Sequence, residues 1–192
     1  ATVSEEDNDG GTPMFCLKPG RCPTKMLPDC VVLTEATGDT RKGPLGVYRG
    51  QRGRCTVMLR VVGKSVHGSM PGLGLNPLEW GSKIVDEAAA QAVDGHTFAD
   101  HPFLGRGTRT ASWAQVITPS DCAVPQEFII KFDRRLSMGE TAEQAMDEIE
   151  RLPAVKDGRA KGFVIEVSIP IYTGKSNGGV QLNNRQAYSA WV

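Results

Sequence analysis

Glu5 and Glu6 stand side by side in Ser4-Glu5-Glu6-Asp7, just after the short apolar stretch at the start of the chain. Adjacent carboxylates suit metal-assisted hydrolysis, because one can hold a cation while its neighbour takes a proton from a metal-bound water. A third acid, Glu35, follows the strand-like run from Cys30 to Thr34. The chain has only three histidines, and none lies near these acids in sequence. The acids therefore predict one part of an active site whose remaining groups come from elsewhere.

Such groups need elements to position them. Residues 8 to 29 are punctuated by Gly10-Gly11, Pro13, Pro19-Gly20, Pro23 and Pro28, which predicts a loop or an interrupted helix. From Cys55 to Val62 the chain is β-branched and strand-like, ending at Gly63. Asn76-Pro77-Leu78-Glu79 is a helix start, with Asn76 at the cap and Pro77 in the first helical position. Leu78, Ile84, Val85, Ala88, Ala89 and Ala92 carry that helix to about Val93. The stretch from Asp94 to Gly107, holding His96 and His101, reads as a loop.

A strand from Ala111 to Ile117 follows, then one in which Phe128, Ile130 and Phe132 share a face. Thr141 and Gln144 predict a capping box for a helix buried through Ala142, Ala145, Met146, Ile149 and Leu152, which Pro153 ends. Phe163, Ile165, Val167 and Ile169 alternate in a last strand. Strand, helix, strand, strand, helix, strand is the split βαβ or ferredoxin-like arrangement, an α+β unit with helices on one face of an antiparallel sheet. Its open edges make pairing across a two-fold axis a physical expectation.

Composition narrows the function classes. Lys plus Arg and Asp plus Glu each number 22, so the net charge is zero, which leaves no electrostatic footprint for nucleic acid or an anionic membrane. No apolar run approaches the ~20 residues of a membrane span. The five cysteines are irregularly spaced with no Cys-x-x-Cys pair, which predicts free, buried thiols and a cytoplasmic setting rather than a disulfide framework. Trp80 and Trp113 read as core or dimer-face residues.

Ser4-Glu5-Glu6-Asp7, Leu33-Thr34-Glu35-Ala36-Thr37-Gly38, Tyr48-Arg49-Gly50-Gln51-Arg52-Gly53 and Val62-Gly63-Lys64-Ser65-Val66-His67-Gly68-Ser69-Met70-Pro71 occur in that order. The series resembles the co-catalytic zinc aminoacylase and carboxypeptidase family, which includes acetylornithine deacetylase, succinyl-diaminopimelate desuccinylase and glutamate carboxypeptidase. Tyr48 to Gly53 and Asp133-Arg134-Arg135-Leu136 are most similar to its branch linked to selenium metabolism. The resemblance covers essentially the whole chain.

The resemblance implies an internal fragment of an α/β enzyme that cleaves an amide bond in a small N-acyl amino acid or dipeptide-like substrate. Residues 1 to 53 and 170 to 192 would belong to the catalytic domain, and residues 54 to 169 would form the dimerisation lid. Glu5 would be the general base, and Glu6 and Glu35 zinc ligands. His67 would reach the partner subunit's active site and stabilise the oxyanion. Arg135 would bind a substrate carboxylate, a task suited to a planar guanidinium. Asn76 matches a further position at the site. Two zinc ions, or manganese or cobalt, would serve the intact enzyme.

There are departures from the family's pattern. The family's His-x-Asp motif, bridging Asp and final ligand His have no counterpart here, and His96 and His101 sit in the wrong loop to replace them. Cys122 stands where the family has an Asn. The chain alone is therefore expected to be inactive while still forming a homodimer. The alternative is a non-enzymatic ferredoxin-like dimerisation or regulatory module.

Overall fold

Alternate residues of the first strand decide which side of the sheet becomes the core. In β1 (Gly53–Val62) Cys55, Val57, Leu59 and Val61 are completely buried, while their neighbours are only partly covered. The computed structural model describes residues 50–94, 97–170 and 190. Glu5, Glu6, Glu35 and His96 lie outside the described residues, as do most of the flanking catalytic-domain segments expected at either end.

α1 (Pro77–Asp94) begins where expected. The Asn76 Oδ1 accepts from the main-chain N–H groups of Leu78 (3.1 Å) and Glu79 (3.4 Å), satisfying donors that a helix leaves unpaired at its start. Gly81, Ile84 and Ala88 form its buried stripe. The stretch expected to be a loop instead contains a short hairpin, β2 (Asp100–His101) with β3 (Gly105–Arg106). β4 (Thr108–Ile117) and β5 (Glu127–Leu136) follow, with a bulge in β4 between Ala111 and Trp113.

Thr141 and Gln144 close the expected capping box of α2 (Ala142–Glu150). Pro153 does stop that helix, but it also opens α3 (Pro153–Ala160), where its missing N–H costs nothing at the first position. β6 (Val164–Ser168) completes the sheet.

The strand order is β4-β5-β1-β6, with every neighbouring pair antiparallel. This is the split βαβ architecture the sequence predicts. Phe128, Ile130, Phe132 and Leu136 of β5 join the inward residues of β1 against Ile84, Ala88, Ala145, Ile149 and Val155 from the helices. Burying each large aliphatic side chain contributes roughly 1.5–3 kcal/mol, so this shared face holds the layers together. Trp80 packs on the core, its ring stacked 5.4 Å from Phe163 and its indole N–H donating to the Ala154 carbonyl at 2.9 Å. Among the described residues no helix is long and apolar enough to cross a membrane.

Candidate functional site

The residues that could carry chemistry lie at the end of the sheet where β1 finishes. Beyond Val62 the chain leaves the sheet, and Lys64 and Leu75 exchange main-chain hydrogen bonds (2.9 and 3.0 Å) that close the loop between them. The same loop is stitched to the segment before β5. Val124 donates its N–H to the Val66 carbonyl, the Ser65 hydroxyl donates to the Val124 carbonyl (2.7 Å), and the Gly68 N–H donates to the Cys122 carbonyl (2.7 Å). A Cβ on Gly68 would sit 2.6 Å from that carbonyl oxygen, so the close approach requires glycine.

His67 stands exposed between these anchors and forms an isolated bridge with Ala123. Its Nδ1 lies 2.8 Å from the Ser69 Oγ and accepts from the Ser69 main-chain N–H at 3.2 Å. His67, Ser69, Asn76, Glu79, Asp121 and Cys122 line one open cleft of about 440 Å³. The structure thus brings together two of the expected residues, His67 and Asn76, although Asn76 already spends its side-chain oxygen on the start of α1.

Arg135 is not part of this cleft. It pairs with Arg54 across the sheet at the opposite end of β5 from Glu127, roughly 26 Å along the strand at ~3.3 Å per residue. Its guanidinium is half-exposed and bonded to the Asp133 carboxylate at 2.8 and 3.1 Å.

Its neighbour Arg134 was not anticipated, yet it is the largest fully buried side chain among the described residues. It faces the helices and bonds to Glu140 and Glu148, while Arg109 reaches the same Glu148 from β4 at 3.3 Å. Phe98 is packed beneath both guanidinium groups, 4.0 Å from Arg134 and 5.4 Å from Arg109. Burial opposes the Arg134 charge, but the hydrogen bonds it donates to Glu148 and then Glu140 outweigh it and hold its pKa above the usual arginine range. Arg109 is pushed down by burial, and its Nε finds no partner among the described residues. The parity of β5 was the available signal: Arg134 continues the inward series Phe128, Ile130, Phe132.

The two described cysteines differ. Burial pushes the Cys55 thiol up to about 12, which makes it an inert core residue as expected. Cys122 is exposed at the His67 cleft, contrary to the expectation that the cysteines are buried; its turn is tied to the loop through main-chain atoms, which leaves the side chain at the surface. His101 sits in β2, where its Nδ1 accepts from the Phe103 and Leu104 N–H groups. No group of three or more His, Cys, Asp or Glu side chains able to hold a metal occurs among the described residues.

The chain is 38% identical over 173 residues to the uncharacterized protein YgeY of Escherichia coli K12, a match covering 90% of this chain and 40% of that protein. It thus spans about two fifths of the length of the curated relatives it matches. Solved structures with a similar fold include a hydantoinase/carbamoylase family amidase from Burkholderia ambifaria (18% identity, TM-score 0.47, 65% of this chain and 31% of that one). Another is an aminobenzoyl-glutamate utilization protein from Klebsiella pneumoniae (16% identity, TM-score 0.46, 77% and 33%). The M20 peptidase dimerisation domain matches residues 49–160, more than half of the chain and nearly the whole of the sheet and helices described above. On that match, the chain belongs to the M20 peptidase family and carries its dimerisation domain.

Proposed function

We propose that this chain supplies the lid of a longer amidohydrolase, and that His67 is the lid's contribution to amide-bond cleavage in a small N-acyl amino acid or dipeptide-like substrate. The observation that carries this reading is His67 itself, presented on a stitched loop at the mouth of a cleft. An imidazole N–H held in this way can meet the negative charge that develops on a carbonyl oxygen during hydrolysis. A donor that needs no rearrangement as the charge appears is worth most.

The proposed metal ligands lie outside the described residues. The zinc pair, or manganese or cobalt in its place, would supply the nucleophilic water. Glu6 and Glu35 remain its proposed ligands within this chain, and Glu5 the proposed base. On this reading the 192-residue chain by itself is inactive.

The lid also brings two copies together. β4 is an edge strand, and Trp113 and Val116 on it are exposed. Beside it Val85, Ala89 and Ala92 of α1 with Thr110 and Ala111 of β4 border a shallow groove of about 430 Å³. Pairing of this edge with its copy in a second chain would cover both, and edge strands are seldom left bare. Such a homodimer also accounts for the separation of His67 from Arg135: each lid would lend His67 to the partner's substrate and keep Arg135 for its own.

Mixing the full-length His67→Ala and Glu5→Gln proteins tests the whole scheme. Each alone should lose about 10²–10³-fold or more in kcat towards N-acyl amino acids. Exchanged dimers should regain activity, because one site then holds both an intact Glu5 and a partner's His67. Failure of the mixture to recover, with dimers confirmed by light scattering, would refute action across the interface. An active His67→Ala enzyme would refute the donor role. Ala111→Arg at the β4 edge should give monomers.

A further inference from the structure

We infer that Ser69 is a positioning residue that holds His67 in the tautomer carrying its proton on Nε2. This rests on the reading of His67 as a donor to substrate, but the tautomer can be measured without any reaction.

The Ser69 main-chain N–H points at His67 Nδ1 from 3.2 Å. A ring nitrogen can accept that bond only through its lone pair, so Nδ1 carries no proton in this geometry. The neutral ring then has its one proton on Nε2. The Ser69 hydroxyl, 2.8 Å from the same Nδ1, completes the arrangement by donating to it as well. In the other tautomer the Nδ1 proton would face the Ser69 N–H, and Nε2 would present a lone pair to a developing oxyanion, which would repel rather than stabilise it.

The segment can hold this geometry because it is fixed on both sides. Gly68 is bonded to the Cys122 carbonyl, and Met70 donates its N–H back to the His67 carbonyl at 2.9 Å. The His67-to-Met70 segment is therefore a closed turn that folds Ser69 back over the ring. A histidine on an unrestrained loop would populate both tautomers and many ring orientations.

Nitrogen-15 spectra of histidine-labelled chain separate the outcomes. The chain has three histidines, and His67→Asn assigns the signal of interest. With the ring neutral, His67 should show an unprotonated Nδ1 and a protonated Nε2. A predominantly Nδ1-protonated ring would overturn the inference. Ser69→Ala keeps the main-chain donor and removes the hydroxyl, so the Nδ1-protonated form should become measurable, and Ser69→Thr should restore the wild-type pattern. In the full-length enzyme Ser69→Ala should lower kcat roughly fivefold, the worth of one ordinary hydrogen bond, with KM nearly unchanged. A Ser69→Ala protein with wild-type spectra and wild-type kcat would also overturn it. Wild-type spectra of the expected kind with an active His67→Ala enzyme would instead leave Ser69 in place and remove the function proposed for His67.

Discussion

The two ends of one sheet use polar residues in opposite ways. At the end where β5 finishes, Arg134, Arg109, Glu140 and Glu148 are largely buried and bonded to one another. At the end where β1 finishes, His67 and Ser69 are exposed, and the bonds that hold their loop run mostly between main-chain atoms. The first end has the more deeply buried charge and the second far more freedom to meet a ligand. A buried ion pair whose members saturate each other is a fastener, whereas a lightly bonded imidazole on a pinned loop retains a hydrogen bond to give.

The sharpest way to break this contrast is Glu148→Ala. It strips a partner from two buried guanidinium groups, and losing one member of such a set costs about 3–5 kcal/mol. Urea unfolding should show that loss while the His67 nitrogen signals of the remaining folded protein stay unchanged. A cost below 1 kcal/mol would mean the network is not the fastener described here.

Matched glycines provide the next test. A Cβ on Gly107 would lie 2.4 Å from an Arg134 nitrogen and 2.5 Å from a Glu140 oxygen, against 2.6 Å from a main-chain carbonyl for Gly68. Gly107→Ala should cost about 1–3 kcal/mol in urea unfolding through overpacking. Gly68→Ala should act chiefly on the His67 loop, shifting its ring signals more than the unfolding midpoint. Equal stability losses would erase the distinction between the two ends.

Cys55 lies in the shared core and reports through pH. Its folded pKa is raised from 9.0 to about 12 by burial, so the unfolded chain ionises first. The stabilisation is complete below pH 9 and is lost as pH rises towards 12. By pH 10 the folded state should be weaker by about 1 kcal/mol from this group. Cys55→Ala should lower stability at pH 8 but flatten its decline between pH 8 and pH 10. An unaltered slope would remove Cys55 as the cause.

Thr141→Ala removes one capping bond of α2, at a cost of ~1 kcal/mol by thermal or urea unfolding. Smallest of all, His67→Ala should change stability by less than about 0.5 kcal/mol, as expected of an exposed position. A large loss there would make His67 a structural residue and collapse the comparison.

Much of the scaffold could be read from local chemistry. Asn76-Pro77 and Thr141 with Gln144 mark helix starts by satisfying unpaired N–H groups, and the alternation around Phe128, Ile130 and Phe132 marks a half-covered strand. The β2–β3 hairpin escaped because strands of two residues carry no period to detect. α3 escaped because a proline that ends one helix can equally begin the next. Arg134 has no expected role in the sequence, although strand parity places it inside; parity outranks polarity once partners such as Glu140 and Glu148 are available further along the chain. The order of motifs singles out His67 as a candidate, whereas the bond of its neighbour Gly68 to Cys122 joins distant segments that no local pattern encodes.

The central position of β1 has a consequence for how the molecule assembles. Its Arg60 bonds to Glu127 and Glu166, 67 and 106 residues further along the chain. A strand made early must therefore wait for both its neighbours, so the first contacts of the four-stranded sheet able to form are those of β4 with β5. Folding dominated by such distant pairings is slow, because loop entropy is lost before the contacts repay it. As the chain emerges from the ribosome, only α1 can meet the apolar face of β1 until α2 and α3 follow, and its two edges stay unpaired until β5 and β6 arrive. That interval, more than any weakness of the finished fold, is when this domain is most open to aggregation or chaperone capture.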